Sequence, residues 1–195
     1  MITDITSAWE ELREKVEVCT KCPLCAERHR AVFGEGPVNA KCVIVGEAPG
    51  EKEDEQGRPF VGPAGQLLTN ILEKGAGIPR SSVYVMNVVK CRPPDNRNPE
   101  LIEIISCSDY LEAQLALLHP YVVVTMGNIS TKTLLKTSAG ITKLRGKWTT
   151  WRGIDLLPMY HPSYLLHRPG EMQPRKETWE DVKALRAKLD LLQGG

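Results

Sequence analysis

From residue 42 onward the chain repeats one pattern: a short run rich in β-branched residues, a loop rich in Gly and Pro, and then a helical periodicity. The runs are CVIVG at 42–46, VYVMNVV at 83–89 and PYVVVTMG at 120–127. Short apolar runs that do not alternate with polar residues predict strands buried on both faces. Between them, Leu67, Leu68, Ile71 and Leu72 predict a helix ending near Gly75 and Gly77. Asn98 and Pro99 predict the N-cap and first turn of a helix running to about Leu118, and a shorter helix is predicted from Asn128 to Lys136. The stretch GKWTTWRGIDLLPMYHP predicts a hairpin turning at Arg152 and Gly153, whose second arm, Ile154 to Tyr160, is a fourth core strand.

The ends are helical by the same reasoning. Ile5, Trp9, Leu12 and Val16 form an amphipathic stripe, with Ser7 and Glu10 as its capping box, and Trp179, Val182, Leu185, Leu189 and Leu192 share one face of a last helix. Strands alternating with helices of this length imply an α/β fold: a three-layer α/β/α sandwich around a central, four-stranded, mostly parallel sheet. In such sheets, chemistry collects in the loops beyond the carboxyl ends of the strands.

Composition narrows the class. With 195 residues, 42% hydrophobic and 25% charged, the chain suits one domain spanning 1–195 and excludes disorder, collagen and coiled coil. No run is long and apolar enough to span a membrane, and MITDITSAWEELREK lacks the regions of a secretion signal, so a cytoplasmic protein is expected. A net charge of +1 announces no polyanion, so any nucleic-acid surface must be a local patch.

In a reducing compartment the six cysteines read as metal ligands or core thiols rather than disulfides. Cys19 and Cys22 form a C-x2-C pair, and a loop folding back can bring Cys91 and Cys107 to it. On spacing alone, zinc and an iron-sulfur cluster remain equally open. Cys25 reads as spare, and Cys42, which opens the first run, as a small core residue.

Three polar loops follow the predicted strands. In the first, Glu51, Glu53, Asp54 and Glu55 read as a solvated face, whereas Glu47 comes directly after a buried strand, between Gly46 and Ala48, and its carboxylate is expected in the crevice. The glycines there match neither phosphate-loop pattern. Phe60 stands in a loop otherwise too polar to bury it, as a plug or a stacking platform for a flat ring. Asn87, inside an apolar strand, must find hydrogen-bond partners or offer its amide to a planar ligand. His161 ends the fourth strand as a cap or an electrophile, while His29, His119 and His167 read as ordinary surface residues. Lys90, Arg92, Arg97, Lys143, Arg145, Lys147 and Arg168, with rigid prolines and the apolar pair Leu165 and Leu166, suit a kinked DNA strand better than a metabolite.

The segments GEAPGEKEDEQGRPFVGPAGQLL, NVVKCRPPDNRNP and HPSYLL together resemble the family 4, iron-sulfur uracil-DNA glycosylases, from Cys19 to about Leu166. The resemblance implies a [4Fe-4S] cluster on Cys19, Cys22, Cys91 and Cys107. It implies a uracil pocket of Gly46, Glu47, Ala48, Phe60, Asn87 and His161, with Glu47 and His161 catalytic. It places DNA contacts at Pro63, Arg92, Ser163, Leu165 and Leu166, one of the two leucines filling the space of a flipped base. The implied reaction is hydrolysis of the N-glycosidic bond in single- or double-stranded uracil-containing DNA. Family 5 glycosylases, which are similar, carry an apolar residue where Glu47 stands. Related covalent traps carry a histidine in a basic loop that this chain lacks between Cys91 and Cys107. A monomer is expected, and a processivity clamp is a partner to be considered for repair enzymes of this type, although KLDLLQGG supplies no motif for one. The rival from another class is a non-catalytic, iron-sulfur DNA-damage or single-strand binding module.

Overall fold

A computed structural model describes the backbone of residues 2–193 and the side chains of residues 5–192, so the extreme ends of the expected 1–195 domain, including the last residues of KLDLLQGG, lie outside the described residues. The elements in order are α1 (Ile2–Glu17), β1 (Cys42–Gly46), α2 (Glu51–Gln56), α3 (Pro63–Asn70), β2 (Tyr84–Asn87), α4 (Leu101–Leu118), β3 (Val122–Met126), α5 (Gly127–Leu135), α6 (Ile141–Leu144), β4 (Thr149–Trp151), β5 (Ile154–Met159), α7 (Pro162–Leu166) and α8 (Met172–Gln193).

The sheet runs β2-β1-β3-β5-β4. The first four strands in that order are parallel, and β4 is antiparallel to β5. The expected four-stranded sheet therefore has a fifth strand, because the first arm of the predicted hairpin pairs fully with the second, Thr149 opposite Leu156 and Trp151 opposite Ile154. Its turn lies at Arg152 and Gly153 as predicted, both with positive φ (49° and 82°), the backbone a two-residue hairpin turn demands. At the opposite margin, β2 is covered by a bridge from Glu35, which exchanges two backbone hydrogen bonds with Val85.

Successive strand residues face opposite layers, as a pleat requires. Val43, Val45, Met86, Val123 and Leu156 pack with Trp9 and Val16 of α1 and Leu111 and Leu115 of α4. Ile44, Val85, Val124 and Leu157 pack with Leu68 of α3 and Val182, Leu185 and Leu189 of α8. Every residue of β1, β2 and β3 is buried, which is why these runs carry no polar alternation.

Several boundaries differ from expectation for identifiable reasons. Ser7 and Glu10 fall in the middle of α1, where no capping box can form, and Ile5 is exposed. The N-cap of α4 is Glu100, not Asn98: Glu103 turns back to accept from the Glu100 N–H at 2.7 Å while paired with Arg97. The helix predicted through Ile71 and Leu72 ends as α3 at Asn70 and continues as one wider π turn over Ile71–Gly75. The second strand stops at Asn87, although Val88 and Val89 stay bonded to the Gly46 and Glu47 carbonyls at 3.0 and 3.1 Å. The fourth core strand ends at Met159, one residue early, and Trp179 lies half out of the apolar face of α8. Among the described residues no helix is long and apolar enough to cross a membrane.

Candidate active site and cysteine cage

Glu47, Ala48, Phe60, Asn87 and His161 all line one cleft of about 720 Å³ beyond the carboxyl ends of β1, β2 and β5, a size that suits a small organic group with its surroundings. Gly46 makes the meeting possible: a Cβ there would overlap both the Asn87 side-chain oxygen and the Phe60 ring. Phe60 itself is held in the left-handed region at φ 53°, a conformation that costs a phenylalanine energy and must be imposed by its neighbours. Glu53 accepts from the Val61 and Gly62 N–H groups, both at 2.8 Å, and Arg80 donates to the Pro59 carbonyl at 3.0 Å. Gly65 of α3 leaves the Phe60 carbonyl room that any Cβ would take. The outcome is a ring fixed on the cleft floor, its centroid 5.7 Å from the His161 imidazole.

Asn87 is 1% exposed, and its Oδ1 has no hydrogen-bond partner among the described residues. A buried amide oxygen left without a donor costs a few kcal/mol unless a ligand supplies one. Glu47 is fixed through its carbonyl by Val89, and burial pushes its carboxyl up to about 7, with no cation among the described residues to offset it. His161 caps α7: its Nδ1 accepts from the Ser163 N–H at 3.2 Å and lies 2.7 Å from the Ser163 hydroxyl. Burial lowers its pKa to about 4, so the ring is neutral near pH 7, and an accepting Nδ1 leaves the proton on Nε2. The cleft thus presents one neutral N–H donor, one carboxyl poised between its two states and one orphaned amide around an aromatic platform.

A second, smaller cavity is lined by Cys19, Cys22, Cys25, Cys91 and Cys107, with Arg28, Lys90 and Tyr110. The cysteines are free, so no disulfide competes for them. Cys19 and Cys22 follow α1, Cys91 follows β2 and Cys107 lies in α4. Arg28 donates to the Cys91 sulfur at 3.0 Å and to the Glu17 carbonyl at 2.8 Å, and the Lys21 N–H reaches the Cys19 sulfur at 3.5 Å. Among the described residues no three His, Cys, Asp or Glu side chains converge enough to hold a single metal ion. A polynuclear iron-sulfur cluster, in which each thiolate binds a different iron, needs its ligands farther apart, and guanidinium and N–H donors toward the sulfurs suit its negative charge. The residues present fit such a group. Cys42 is buried in β1, where burial pushes its thiol up to about 12, and it behaves as the small core residue expected.

A family model described as the Uracil DNA glycosylase superfamily matches residues 33–183. A type-4 uracil-DNA glycosylase of Thermotoga maritima is 44% identical over 89% of this chain and 91% of its own length. Those of Sulfurisphaera tokodaii and Saccharolobus solfataricus are each 42% identical, over 95% and 88% of this chain and 90% and 83% of their own. The chain belongs to the type-4 uracil-DNA glycosylases.

In this type-4 glycosylase the remaining expected residues divide. Pro63 opens α3 at the rim, and Ser163 and Leu166 also line the cleft. Leu165 is buried at 3% exposure, whereas Leu166 is 40% exposed. Arg92 does not line the cleft; it donates to Asn96 at 2.8 Å and braces the turn that puts Asn96 and Arg97 there. The expected basic rim is thinner than the sequence suggests, because Lys90 is buried and Arg145 is tied to Asp181 and the Glu177 carbonyl.

Two of the four acidic residues read as solvated are structural. Glu53 holds the Phe60 loop, and Asp54, 1% exposed, accepts from the His29 N–H at 3.1 Å and meets the His29 ring at 2.6 Å. Their partners lie eight to 25 residues away in sequence, beyond the reach of local pattern. Tyr160 and Tyr164, stacked at 4.8 Å, also line the cleft and carried no signal beyond their place beside HPSYLL.

Proposed function

We propose that the protein is a monofunctional DNA-repair glycosylase that flips uracil out of DNA and hydrolyses its N-glycosidic bond, releasing uracil and leaving an abasic site. The observation that carries this reading is the buried, orphaned side-chain oxygen of Asn87, a residue that lines the cleft with Phe60 and His161. Uracil stacked on Phe60 offers its N3–H to Asn87 Oδ1 and its O4 to the Asn87 amide N–H. Cytosine offers the reverse pattern and leaves buried groups unpaired, which is how a polar pocket discriminates.

As the bond to C1′ lengthens, charge grows on uracil O2, and the neutral His161 donates to it from Nε2, a contribution on the order of 3 kcal/mol for a single preorganised donor. Glu47, as carboxylate, takes a proton from the water that attacks C1′. Flipping costs a few kcal/mol, least for a mismatched or unpaired base. Leu166, exposed at the cleft edge, is suited to fill the vacated stack, and the phosphate contacts are assigned to Pro63 and Ser163, which line the cleft, and to the segment braced by Arg92.

Cys19, Cys22, Cys91 and Cys107 would hold a [4Fe-4S] cluster, leaving Cys25 outside the set. When bound, the cluster supplies a cross-link and negative charge rather than electrons, since glycosidic hydrolysis transfers none. Its ligands tie the end of α1 to β2 and α4. The reading includes one domain over 1–195, a monomer, in a cytoplasm that keeps the thiols reduced.

The test is alkali-induced strand cleavage of a labelled oligonucleotide carrying one uracil. Wild-type protein produces uracil-dependent cleavage, and His161→Ala and Asn87→Ala lose most of it. Wild-type protein that holds iron and binds uracil-containing DNA yet leaves the base in place overturns the enzyme reading in favour of a binding module.

A further inference from the structure

Lys90 is buried at 1% exposure, and among the described residues no carboxylate pairs with its ammonium. An unpaired charge taken out of water is costly and needs a counter-charge close by. Lys90 lines the cysteine cavity together with Cys91 and Cys107, whose sulfurs would be its counter-charges as thiolates. On its other side Lys90 Nζ donates to the Asn87 carbonyl at 2.7 Å. That carbonyl shares a peptide plane with the Val88 N–H, which donates to Gly46 O at 3.0 Å. The plane is therefore clamped at both ends, by β1 on one side and by the cysteine cage, through Lys90, on the other. Fixing it fixes where the Asn87 side chain leaves the backbone.

We infer that Lys90 is a positioning residue that couples the cysteine cage to the base-reading amide, holding Asn87 in its pyrimidine-reading orientation. The inference rests on the uracil and cluster readings above. Thiolates holding a bound cluster would give the ammonium its counter-charge, while one of its N–H donors is already spent on orienting Asn87. Discrimination of uracil thereby depends on a cage that never touches the base.

The experiment measures binding of an oligonucleotide with one 2′-fluoro-substituted deoxyuridine, which resists hydrolysis, against its thymine counterpart, with iron content and visible absorption read on the same samples. Wild-type iron and wild-type preference for uracil separate failure of the underlying readings from failure of this one. Lys90→Met is expected to keep its iron while uracil preference falls about tenfold, the scale of one lost charged hydrogen bond. Lys90→Gln, which keeps an N–H within reach of Asn87 O, restores most of it, and Lys90→Met adds no further loss to Asn87→Ala. Unchanged preference in iron-loaded Lys90→Met, or losses that multiply with Asn87→Ala, overturns the assignment. If the Met variant sheds iron, Lys90→Gln carries the same comparison, and losses independent of Asn87 there overturn it as well.

Discussion

Leu165 and Leu166 are neighbours in α7 with opposite surroundings: Leu165 is sealed in the protein at 3% exposure, and Leu166 stands at the cleft edge at 40%. Leu165→Ala is therefore expected to cost about 2–4 kcal/mol of stability, read by denaturant unfolding. Leu166→Ala should leave stability within about 0.5 kcal/mol and slow excision from duplex more than from single strands, where no stack has to be refilled. Equal slowing on both substrates would remove Leu166 from the wedge role.

The buried carboxyl of Glu47 ties activity to pH. With its pKa near 7, kcat/KM should rise with pH through about 7 and then level, while His161, neutral above about 4, adds no limb in that range. Glu47→Gln should lower the rate at least 100-fold, on the scale of lost acid-base catalysis, and abolish the limb.

The same residue makes a stability prediction of opposite sign. A folded pKa above the ordinary glutamate value of 4.5 means that the folded state holds the proton more tightly, so stability declines as pH rises from 4.5 to about 7. At pH 8 Glu47→Gln should be more stable than wild type by about 1–2 kcal/mol, discounted for the carboxyl's partial contact with solvent. A destabilised Gln variant at pH 8 would contradict the burial argument.

Gly46→Ala tests whether Asn87 and Phe60 need the strand end bare. The added methyl meets the Asn87 oxygen and the Phe60 ring, so uracil binding should be lost while overpacking costs about 1–3 kcal/mol. A folded Ala variant that still excises uracil would show that the platform tolerates displacement.

Cys91→Ser and Cys25→Ser should separate ligand from bystander. The first is expected to lose iron and about 2 kcal/mol of stability, roughly 4–8 °C in Tm for a chain of this length, by freeing the end of α1 from β2 and α4. The second should keep both its iron and its Tm. Iron loss from Cys25→Ser would bring that cysteine, which lines the same cavity, into the ligand set.

Legibility in the sequence followed the range of the interactions. β1 and β3 were readable because a strand buried on both faces has no choice but to be apolar, and Arg152 and Gly153 because a tight turn restricts its residues locally. Glu47, Asn87 and His161 stood out as polar residues at the ends of apolar strands. Glu53 and Lys90 did not, because what makes each one structural is a partner delivered by the fold: loop amides for one, the Asn87 carbonyl beside the cysteine cavity for the other. Charge in a sequence reads as solvent-facing by default, and these two are the exceptions that the site is built on.

The margins of the sheet bear on how this protein behaves at high concentration. Its centre is four parallel strands of strongly β-prone residues, the composition that templates aggregation when a long edge is left open. One margin ends in the Glu35 bridge to Val85 and the other in β4, three residues long with Thr149 and Thr150 facing water. Neither offers a flat run for another chain to extend, so the native protein can be concentrated without recruiting copies strand by strand, and aggregation must await the loss of one of these two covers.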